Sequence, residues 1–264
     1  MKIAIVTGAS SGMGREFVLK LENYITVDEI WVIARRKDML ESLNGKTKAP
    51  IKIITLDLTQ EASYVEYNNL LSKATPDVSL LINCAGFGNF GSHENIPLND
   101  SLNMINLNCR ALVAVTELTL PYMSKGSKII QLDSLSAFQP VPYMTVYGAT
   151  KAFVLSYSRA MNKELMSRGI RMMSVNPGWV KTEFFNTATK TNDSKVNYYN
   201  KLYEASDVVD TALKDLYKTK KDVSIHGFPV RMQVRLVKLL PHSLIMKIWL
   251  KQQQKSKNSD KLTI

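Results

Sequence analysis

A tyrosine and a lysine stand four residues apart, at Tyr147 and Lys151, in the stretch VYGATKAF. In a helix this spacing places both side chains on one face, one turn apart. A tyrosine can act as a general acid or base, but an ordinary phenol with a pKa of about 10 is poorly matched to neutral pH. A neighbouring ammonium favours the phenolate and lowers that pKa. The pair is therefore either an ordinary surface pair or a phenol tuned for proton transfer.

The elements that would position this pair alternate along the chain. Apolar, β-branched runs typical of strands covered on both faces are separated by helix-length segments. This alternation predicts an α/β fold, a Rossmann-type doubly wound parallel sheet of about seven strands flanked by helices. Ligands are then expected at the carboxyl ends of the strands. The predicted strands are Lys2–Thr7, Glu29–Ala34, Ile51–Leu56, Val78–Asn83, Lys128–Asp133, Ile170–Val175 and Asp222–His226, and the predicted helices are Met13–Glu22, Arg36–Leu43, Ala62–Lys73, Leu102–Met123, Thr145–Arg168 and Ser206–Lys218.

A glycine-rich turn, TGASSGMG, follows the first predicted strand and precedes the first predicted helix. Glycines allow a tight turn and a close approach of the backbone to a ligand, and the helix then offers free N–H groups to a pyrophosphate. Glycine turns end many strands, so the position between strand and helix carries the argument. The residues expected to hold the phosphates are Gly8, Ser10, Ser11, Gly12, Met13 and Gly14.

The end of the second predicted strand indicates which dinucleotide binds. An acid there would bind the ribose 2′-hydroxyl of NAD, but the chain has Arg35 and Arg36, whose guanidinium groups suit the 2′-phosphate of NADP(H). The alternative is an ordinary solvated basic turn. Asp57, at the end of the third strand, is placed to meet the adenine, or it caps the next helix.

The motifs together resemble the short-chain dehydrogenase/reductase family from Lys2 to about His226. They are TGASSGMG, Asp57 in LDLT, NCAG at Asn83–Gly86, INLN ending at Asn108, Ser134, Tyr147 with Lys151, and NPG at Asn176–Gly178. Ser134 precedes Tyr147 by 13 residues, the family's spacing. Cys84 stands where the family commonly has asparagine. The resemblance implies a catalytic set of Asn108, Ser134, Tyr147 and Lys151, and further NADP(H) contacts from Leu58, Asn83, Ala85, Gly86, Tyr147, Lys151, Pro177, Gly178, Val180 and Thr182.

Ketone reduction requires a hydride on carbon and a proton on oxygen. Nicotinamide supplies the hydride, and the protein handles the proton. Tyr147 would be the acid/base, and both Lys151 and the cationic oxidised nicotinamide would lower its pKa. Ser134 can donate a hydrogen bond to the substrate oxygen. By resemblance, Lys151 also binds the nicotinamide ribose, and Asn108 holds a water that relays protons to it.

Each of these polar residues also has a structural reading. Ser134 could only form a turn or a cap, and Asn108 could only make a local hydrogen bond inside a helix. Thr182 could cap the helix that follows Glu183 rather than contact the cofactor. A chain that keeps the fold as a non-catalytic NADP sensor is the competing class, and it predicts a damaged tyrosine, lysine or serine.

The substrate is predicted from aromatic residues near the expected site. They favour a bulky hydrophobic alcohol/ketone pair, a hydroxysteroid or a similar molecule, with another acyl or small carbonyl substrate as the alternative. The polar segment Phe184–Glu204 is predicted to be a lid. The expected pocket residues are Phe87, Phe90, His93, Phe138, Tyr143, Trp179, Phe184 and Phe185.

Composition and charge limit the remaining classes. The mean hydropathy is −0.10 and the net charge is +11, of which residues 218–264 carry +9 through eleven Lys/Arg against two acids. No nucleic-acid-binding motif accompanies this basic segment, so no nucleic-acid partner is expected. Two cysteines offer neither a disulfide framework nor a metal site. The first apolar run is too short for a signal peptide, so a cytoplasmic location is expected.

The chain is predicted to have one catalytic domain, residues 1–227, and a basic amphipathic helical extension, residues 228–264. The extension could cover the core, shape the substrate pocket or adsorb to anionic lipid as a peripheral membrane contact. By family resemblance, the helices Leu102–Met123 and Thr145–Arg168 would form the interface of a homodimer or homotetramer.

Overall fold

The structure, a computed structural model, describes residues 1–189 and 195–259. Within these ranges nine strands and ten α-helices follow one another. The strands are β1 (Lys2–Thr7), β2 (Glu29–Ala34), β3 (Ile51–Thr55), β4 (Asp77–Asn83), β5 (Lys128–Leu132), β6 (Arg171–Val175), β7 (Trp179–Lys181), β8 (Leu202–Glu204) and β9 (Val223–Ser224). The helices are α1 (Gly12–Lys20), α2 (Lys37–Glu41), α3 (Glu61–Ala74), α4 (Leu98–Ile105), α5 (Leu112–Thr119), α6 (Thr145–Leu165), α7 (Phe184–Ala188), α8 (Ala205–Lys218), α9 (Phe228–Val237) and α10 (His242–Ser259).

Seven of the strands form one sheet in the order β3-β2-β1-β4-β5-β6-β9. Every neighbouring pair in it is parallel. The predicted Rossmann-type parallel sheet is confirmed. The chain adds strands outward from β1 to β3 and then returns to the other side of β1 at β4. This reversal opens a crevice at the carboxyl edge, where ligands bind in such sheets.

The sheet is covered on both faces because its strands are apolar on both sides. Side chains alternate across a strand, so Val6 packs toward Phe17 of α1 and Leu213 of α8. Ile5 points to the opposite face and belongs to the cluster that contains Tyr67 of α3. These residues are almost completely buried. The two apolar layers hold the strand ends at a fixed level, which positions the loops that follow them.

The predicted helix Leu102–Met123 differs from the observed structure. The helical stretch begins four residues earlier, at Leu98, and consists of α4, a π-helical segment at Asn106–Ala111, and α5. A π-helical segment displaces the side chains that follow it relative to a regular helix, and such segments are frequent at functional sites. The apolar periodicity predicted one regular helix because it does not reveal a local change from α-helical to π-helical hydrogen bonding.

The segment after β6 also forms a small second sheet that was not predicted. In it β7 pairs in parallel with β8, with Trp179 opposite Leu202 and Val180 opposite Tyr203. The predicted lid thus leaves from one strand and returns to the other. Its central residues 190–194 lie outside the described residues.

The C-terminal helices pack against the catalytic domain. Val230 and Val234 of α9 belong to the same apolar cluster as β1 and α1. In α10, the indole Nε1 of Trp249 donates a hydrogen bond to the carbonyl oxygen of Pro142 at 3.0 Å. No helix in the part of the chain that the structure describes is both long enough and apolar enough to span a membrane.

Candidate active site

A cavity of about 920 Å³ lies at the carboxyl edge of the main sheet. Its volume falls within the range of small-molecule and cofactor sites. In the sheet register, Thr7 at the end of β1 lies opposite Ile33 of β2 and Asn83 of β4. The loops after these strands therefore start at one level and surround one space. They form the cofactor end of the cavity, and α6, α7 and the C-terminal helices close the other end.

The turn between β1 and α1 leaves room only for glycine at two points. Gly8 has a φ of +67°, and a Cβ on it would lie 2.7 Å from the backbone nitrogen of Ala85. A Cβ on Gly14 would collide with the carbonyl oxygen of Gly8. Ser11 makes no side-chain cap, so the first-turn N–H groups of α1 face the cavity without a side-chain acceptor. This cradle fits a pyrophosphate.

The two arginines after β2 lie at the same end of the cavity. Arg36 Nη2 donates hydrogen bonds to the hydroxyl oxygens of Ser10 at 3.2 Å and Ser11 at 2.8 Å. Its Nη1 lies 2.9 Å from the carboxylate of Glu183, and the two side chains are 47% and 48% exposed. An ion pair this exposed is weak, so a phosphate can replace it. Arg35 also lines the cavity. Two guanidinium groups beside two hydroxyls form a donor set that suits a phosphate monoester.

Asp57 lies in the loop between β3 and α3. The residue lines the cavity. Its carboxylate accepts hydrogen bonds from the backbone nitrogen and the hydroxyl of Thr59, at 3.0 and 2.8 Å. Asp57 therefore holds the turn that precedes α3 without capping the helix itself, whose N-cap is Gln60, and its contact with adenine stays a prediction.

Asn83 is placed differently from the other expected cofactor residues. It is 3% exposed, does not line the cavity, and donates from Nδ2 to the hydroxyl of Thr116 at 3.0 Å. Its side chain thus holds the end of β4 against α5. The expected cofactor residues that line the cavity are Gly8, Ser10, Ser11, Gly12, Met13, Gly14, Arg35, Arg36, Asp57, Leu58, Ala85, Gly86, Tyr147, Lys151, Pro177, Gly178, Val180 and Thr182.

Thr182 makes a hydrogen bond at the start of α7, as one of its two readings predicts, and its contact with the cofactor stays a prediction. Its hydroxyl oxygen accepts a hydrogen bond from the backbone nitrogen of Phe184 at 3.3 Å, just ahead of α7. A Cβ on Gly12 would lie 3.2 Å from the Cβ of Thr182. The threonine therefore caps α7 and closes over the glycine turn.

Tyr147 and Lys151 lie on the buried face of α6 and both line the cavity. The Lys151 ammonium is 5.7 Å from the centre of the Tyr147 ring. Its Nζ donates a hydrogen bond to the carbonyl oxygen of Leu132, at the end of β5, at 2.8 Å. The structure thus places both side chains on one face of a helix, as their spacing predicts.

Burial controls the acidity of both groups. It raises the pKa of Tyr147, and the side-chain hydrogen bond with Ser134 acts in the opposite direction. It also lowers the pKa of Lys151, while the neighbouring Asp133 raises it. The rings of Phe90 and Phe184 lie 5.7 and 5.5 Å from the Tyr147 ring and keep water from it. In the protein chain alone, burial outweighs the hydrogen bond with Ser134, so the pKa of Tyr147 is raised rather than lowered as predicted. The phenol is neutral and can donate its proton.

Ser134 stands at the end of β5 and interacts with the phenol of Tyr147 through its side chain. Its hydroxyl oxygen also accepts a hydrogen bond from the backbone nitrogen of Ser136 at 3.2 Å, at the start of the 3₁₀ turn Leu135–Phe138. The capping role and the proximity to Tyr147 therefore occur together in one side chain.

Asp133, the residue before Ser134, is a site residue that the sequence analysis missed. It is 2% exposed, and its carboxylate accepts from the backbone nitrogen of Ser134 at 2.8 Å, the hydroxyl of Ser174 at 3.0 Å and the Nδ2 of Asn176 at 2.7 Å. Burial raises the pKa of Asp133 to about 7, opposed first by the charge of Lys151. An acid that ends an otherwise apolar strand, KIIQLD, is a signal that could have revealed it.

Asn108 lies within the π-helical segment and is 1% exposed. Its Oδ1 accepts from the backbone nitrogen of Phe87 at 3.0 Å, and its Nδ2 donates to the Phe87 carbonyl at 2.9 Å and to the Thr150 hydroxyl at 3.1 Å. A Cβ on Gly86 would lie 3.0 Å from Asn108 Oδ1 and 3.8 Å from Lys151 Nζ. Asn108 thus holds the loop after β4 against α6, directly beside Lys151.

Aromatic side chains line the other end of the cavity. Six of the eight expected residues do so: Phe87, Phe90, Phe138, Trp179, Phe184 and Phe185. The other two do not line it. His93 lies on a surface turn with its side chain 90% exposed, so its assignment to the pocket is wrong. Tyr143 packs behind the pocket wall with the Lys195 ammonium 5.7 Å from its ring centre.

The C-terminal helices supply pocket residues that the sequence did not assign. Val230 and Leu236 of α9 and Ile248 and Trp249 of α10 line the cavity. Gln253 of α10 accepts hydrogen bonds through Oε1 from the backbone nitrogens of residues 197 and 198, both at 3.0 Å. Of the three readings of the extension, the cover over the core and the wall of the pocket both match this arrangement. Amphipathic periodicity shows that a helix has an apolar face but not which surface that face covers.

A sequence model of the short chain dehydrogenase family matches residues 2–193, well over half of the chain. The chain belongs to this family. The match spans the glycine turn, the π-helical segment, the Ser134 loop and the Tyr147–Lys151 helix. This short-chain dehydrogenase is therefore an oxidoreductase, and the cavity described above is its candidate active site.

Relatives of this short-chain dehydrogenase include an uncharacterized oxidoreductase of Staphylococcus epidermidis, 30% identical over 183 residues, which are 69% of this chain and 79% of the relative. The human very-long-chain 3-oxoacyl-CoA reductase is 31% identical over 194 residues, which are 68% of this chain and 60% of the human protein.

Solved structures show the same fold. A short-chain dehydrogenase from Sphingobium yanoikuyae in complex with NADPH has a TM-score of 0.77 at 24% identity, covering 93% of this chain and 95% of that one. Serine dehydrogenase complexed with NADP⁺ has a TM-score of 0.72 at 26% identity, covering 85% and 94%. The bulky-bulky ketone specific alcohol dehydrogenase from Comamonas testosteroni has a TM-score of 0.69 at 27% identity, covering 90% and 92%.

The arrangement in this dehydrogenase supports proton transfer at a buried carbonyl oxygen. A neutral phenol, a serine hydroxyl and an ammonium meet at the junction of the cofactor cradle and the aromatic pocket. Within residues 1–189 and 195–259, no cluster of three or more histidine, cysteine or acidic side chains is placed to hold a metal ion.

Proposed function

We propose that this short-chain dehydrogenase is an NADP(H)-dependent oxidoreductase that interconverts a secondary alcohol and a ketone on a bulky hydrophobic substrate. The observation that carries the proposal is the position of Tyr147, Ser134 and Lys151 in one cavity with the glycine cradle. One end of this cavity suits a dinucleotide phosphate, and the other end is aromatic.

The choice of NADP(H) over NAD(H) is supported by the donor set at Arg35, Arg36, Ser10 and Ser11. The solved serine dehydrogenase, 26% identical, is a complex with NADP⁺. When bound, the nicotinamide supplies or accepts the hydride.

The chain's own residues manage the proton. Ser134 donates a hydrogen bond to the substrate oxygen, and Tyr147, a neutral phenol in its buried site, gives that oxygen a proton during reduction. The phenolate that remains is stabilised by the Lys151 ammonium, 5.7 Å from the ring centre. Asn108 holds the loop against which Lys151 packs, and Asp133 holds the backbone of Ser134.

The substrate class is supported by the apolar walls of the cavity. Aromatic rings surround Tyr147, and α9 and α10 add aliphatic side chains on the opposite wall. The Comamonas enzyme acts on bulky-bulky ketones, which fits a hydroxysteroid-like substrate. The human relative reduces 3-oxoacyl-CoA, which makes a long-chain acyl ketone the alternative. Both substrates present a ketone on a large apolar body.

The non-catalytic alternative is not favoured. A protein that only senses NADP(H) has no need of the tyrosine, serine and lysine of the family, and this chain keeps all three and brings them together. We place the activity in the cytoplasm, which agrees with the free thiols of Cys84 and Cys109.

The proposal is tested by NADPH oxidation with a ketone panel that contains steroid ketones, long-chain 3-oxoacyl-CoA and short polar ketones. We expect turnover with the first or second class and a loss of at least about 100-fold in Tyr147→Phe. Tyr157→Phe is the matched control, because Tyr157 lies on the same helix and binds Glu117 at the surface. Equal rates in wild type and Tyr147→Phe would refute the mechanism, and turnover of short polar ketones alone would refute the substrate class.

A further inference from the structure

The C-terminal helical pair carries an exposed apolar stripe. Leu236, Leu240, Leu244 and Ile248 follow one another at four-residue intervals, and Leu239 lies beside them. Between 37% and 80% of the surface of each residue is exposed. We call these five residues the leucine stripe. Nothing in the described part of the chain covers them.

The same pair of helices contains no acid. From Val223 to Ser259 the sequence has no aspartate or glutamate. Five basic side chains in this stretch are exposed: Arg231, Arg235, Lys238, Lys247 and Lys251. The two helices that carry the leucine stripe therefore contribute only positive charge to their surface. Residues 1–217, in contrast, are close to neutral in sum.

The leucine stripe is continuous with the mouth of the active-site cavity. Leu236, Leu240 and Ile248 line the cavity as well as the outer surface. Leu239 and Leu244 are exposed and do not line the cavity. An apolar path thus leads from the outside of α9 and α10 to the aromatic pocket.

We propose that the leucine stripe and its basic border form a docking surface for an anionic lipid bilayer. Amphipathic helices with apolar residues on one side and lysines and arginines around them bind in the plane of a membrane interface. The leucines enter the boundary between headgroups and acyl chains, and the basic side chains contact the anionic headgroups. In this orientation the cavity mouth faces the bilayer, where bulky hydrophobic molecules accumulate.

Charge complementarity favours a bilayer over the other occupants of an apolar face. A second copy of this chain would bring two acid-free basic surfaces together, and like charges repel. A nucleic acid would satisfy the basic side chains but would gain nothing from exposed leucines, because its binding sites use cationic grooves with aromatic stacking platforms. Only a surface that is anionic outside and apolar beneath matches both features.

The test is flotation of the full-length protein with vesicles, and it does not depend on catalytic activity. Wild type is compared on vesicles of phosphatidylcholine alone and on vesicles that contain about 30% phosphatidylglycerol. We expect about tenfold or more stronger binding to the anionic vesicles, weakened at about 0.5 M salt. Leu239→Glu should reduce this binding about tenfold or more. The Leu239 side chain is 80% exposed, so the substitution removes the apolar contact with the lipid and little packing inside the protein.

Two control variants match the changes. Val65→Glu places the same charge on an apolar residue that is 62% exposed on α3. A second test variant combines Lys247→Gln with Lys251→Gln and removes two positive charges from α10. Its control combines Lys46→Gln with Lys73→Gln, which removes the same net charge elsewhere. We expect only the C-terminal variants to lose vesicle binding. The proposal would be overturned if the wild type bound neutral and anionic vesicles equally. It would also be overturned if each control variant lost as much vesicle binding as the C-terminal variant that it matches. Binding of the protein to a DNA duplex that is unchanged in Leu239→Glu would also overturn the proposal. The same holds if the wild type does not bind vesicles and Leu239→Glu changes the oligomeric state.

Discussion

At the scale of single residues, burial decides the state of the catalytic groups. Tyr147 is 7% exposed and Lys151 is 5% exposed. The sequence shows the spacing of the two but not the aromatic rings packed over the phenol, which is why the predicted direction of the Tyr147 pKa was wrong. A neutral phenol is the form that donates a proton in ketone reduction.

The residue-scale prediction concerns the choice of cofactor. Arg36→Ala should raise the KM for NADPH about tenfold or more with little effect on the KM for NADH, because a charge-assisted hydrogen bond to a phosphate contributes roughly 1.5–3 kcal/mol. Arg35→Asp should shift the preference further toward NADH by repelling the phosphate. Steady-state kinetics with both cofactors measure this. Lys37→Ala, in the same turn but paired with Glu41, is the control. Equal losses with NADPH and NADH would show that the arginines do not contact a 2′-phosphate.

At the scale of elements, all seven predicted strands are found within two residues of their expected bounds, because apolar runs with turn residues at their ends are a strong local signal. The elements that were missed depend on long-range contacts. The β7–β8 sheet joins segments that lie at either end of the predicted lid. The π-helical segment depends on the engagement of Asn108 with Phe87 and Thr150, which no periodicity reports.

The element-scale prediction concerns the outer face of α6. Phe153 is 44% exposed and stacks with Tyr157, with ring centres 6.1 Å apart. Leu102 and Ile105 of α4 are exposed to a similar extent. We propose that these residues form the interface of the homodimer or homotetramer expected for the family. Phe153→Glu should therefore dissociate the oligomer in sedimentation velocity experiments, because a buried unpaired carboxylate is costly.

The control for this prediction is again Val65→Glu, which adds a carboxylate to an exposed face of α3 and should leave the sedimentation coefficient unchanged. A wild type that sediments as a monomer would show that no such interface exists. An oligomeric Phe153→Glu variant that sediments like wild type would show that the interface lies elsewhere.

At the scale of the whole molecule, the cofactor end and the substrate end of the cavity differ in how well the sequence predicts them. The cofactor end is built from short loops at strand ends, so local motifs from Gly8 to Thr182 identify it. The substrate end is closed by α9 and α10, which follow all seven strands of the main sheet in the chain. Their docking depends on tertiary contacts such as that of Trp249 with Pro142, which no local pattern encodes.

The whole-molecule prediction concerns the dependence of stability on pH. Asp133 has its pKa raised to about 7 in the folded chain, against about 3.9 in an unfolded one. The folded state therefore binds the proton of Asp133 more tightly than the unfolded state does. The resulting contribution to the free energy of unfolding is fully present below about pH 4 and is lost as the pH rises toward 7. The loss amounts to up to about 4 kcal/mol of unfolding free energy. Asp133→Asn keeps the shape but cannot ionise, so its stability should fall less over this range.

Urea unfolding of both proteins at several pH values between about 5 and 8 measures this difference. Glu66→Gln, which removes an exposed carboxylate from α3, is the control and should follow the wild-type profile. Parallel profiles for wild type and Asp133→Asn would show that Asp133 is ionised over the whole pH range. The charge of Lys151 and the three hydrogen bonds to the Asp133 carboxylate would then outweigh the effect of burial. A flatter profile for Asp133→Asn would show that the group that positions Ser134 changes its charge near neutral pH. The charge next to Lys151 would then change near neutral pH as well, and with it the influence that raises the pKa of Lys151.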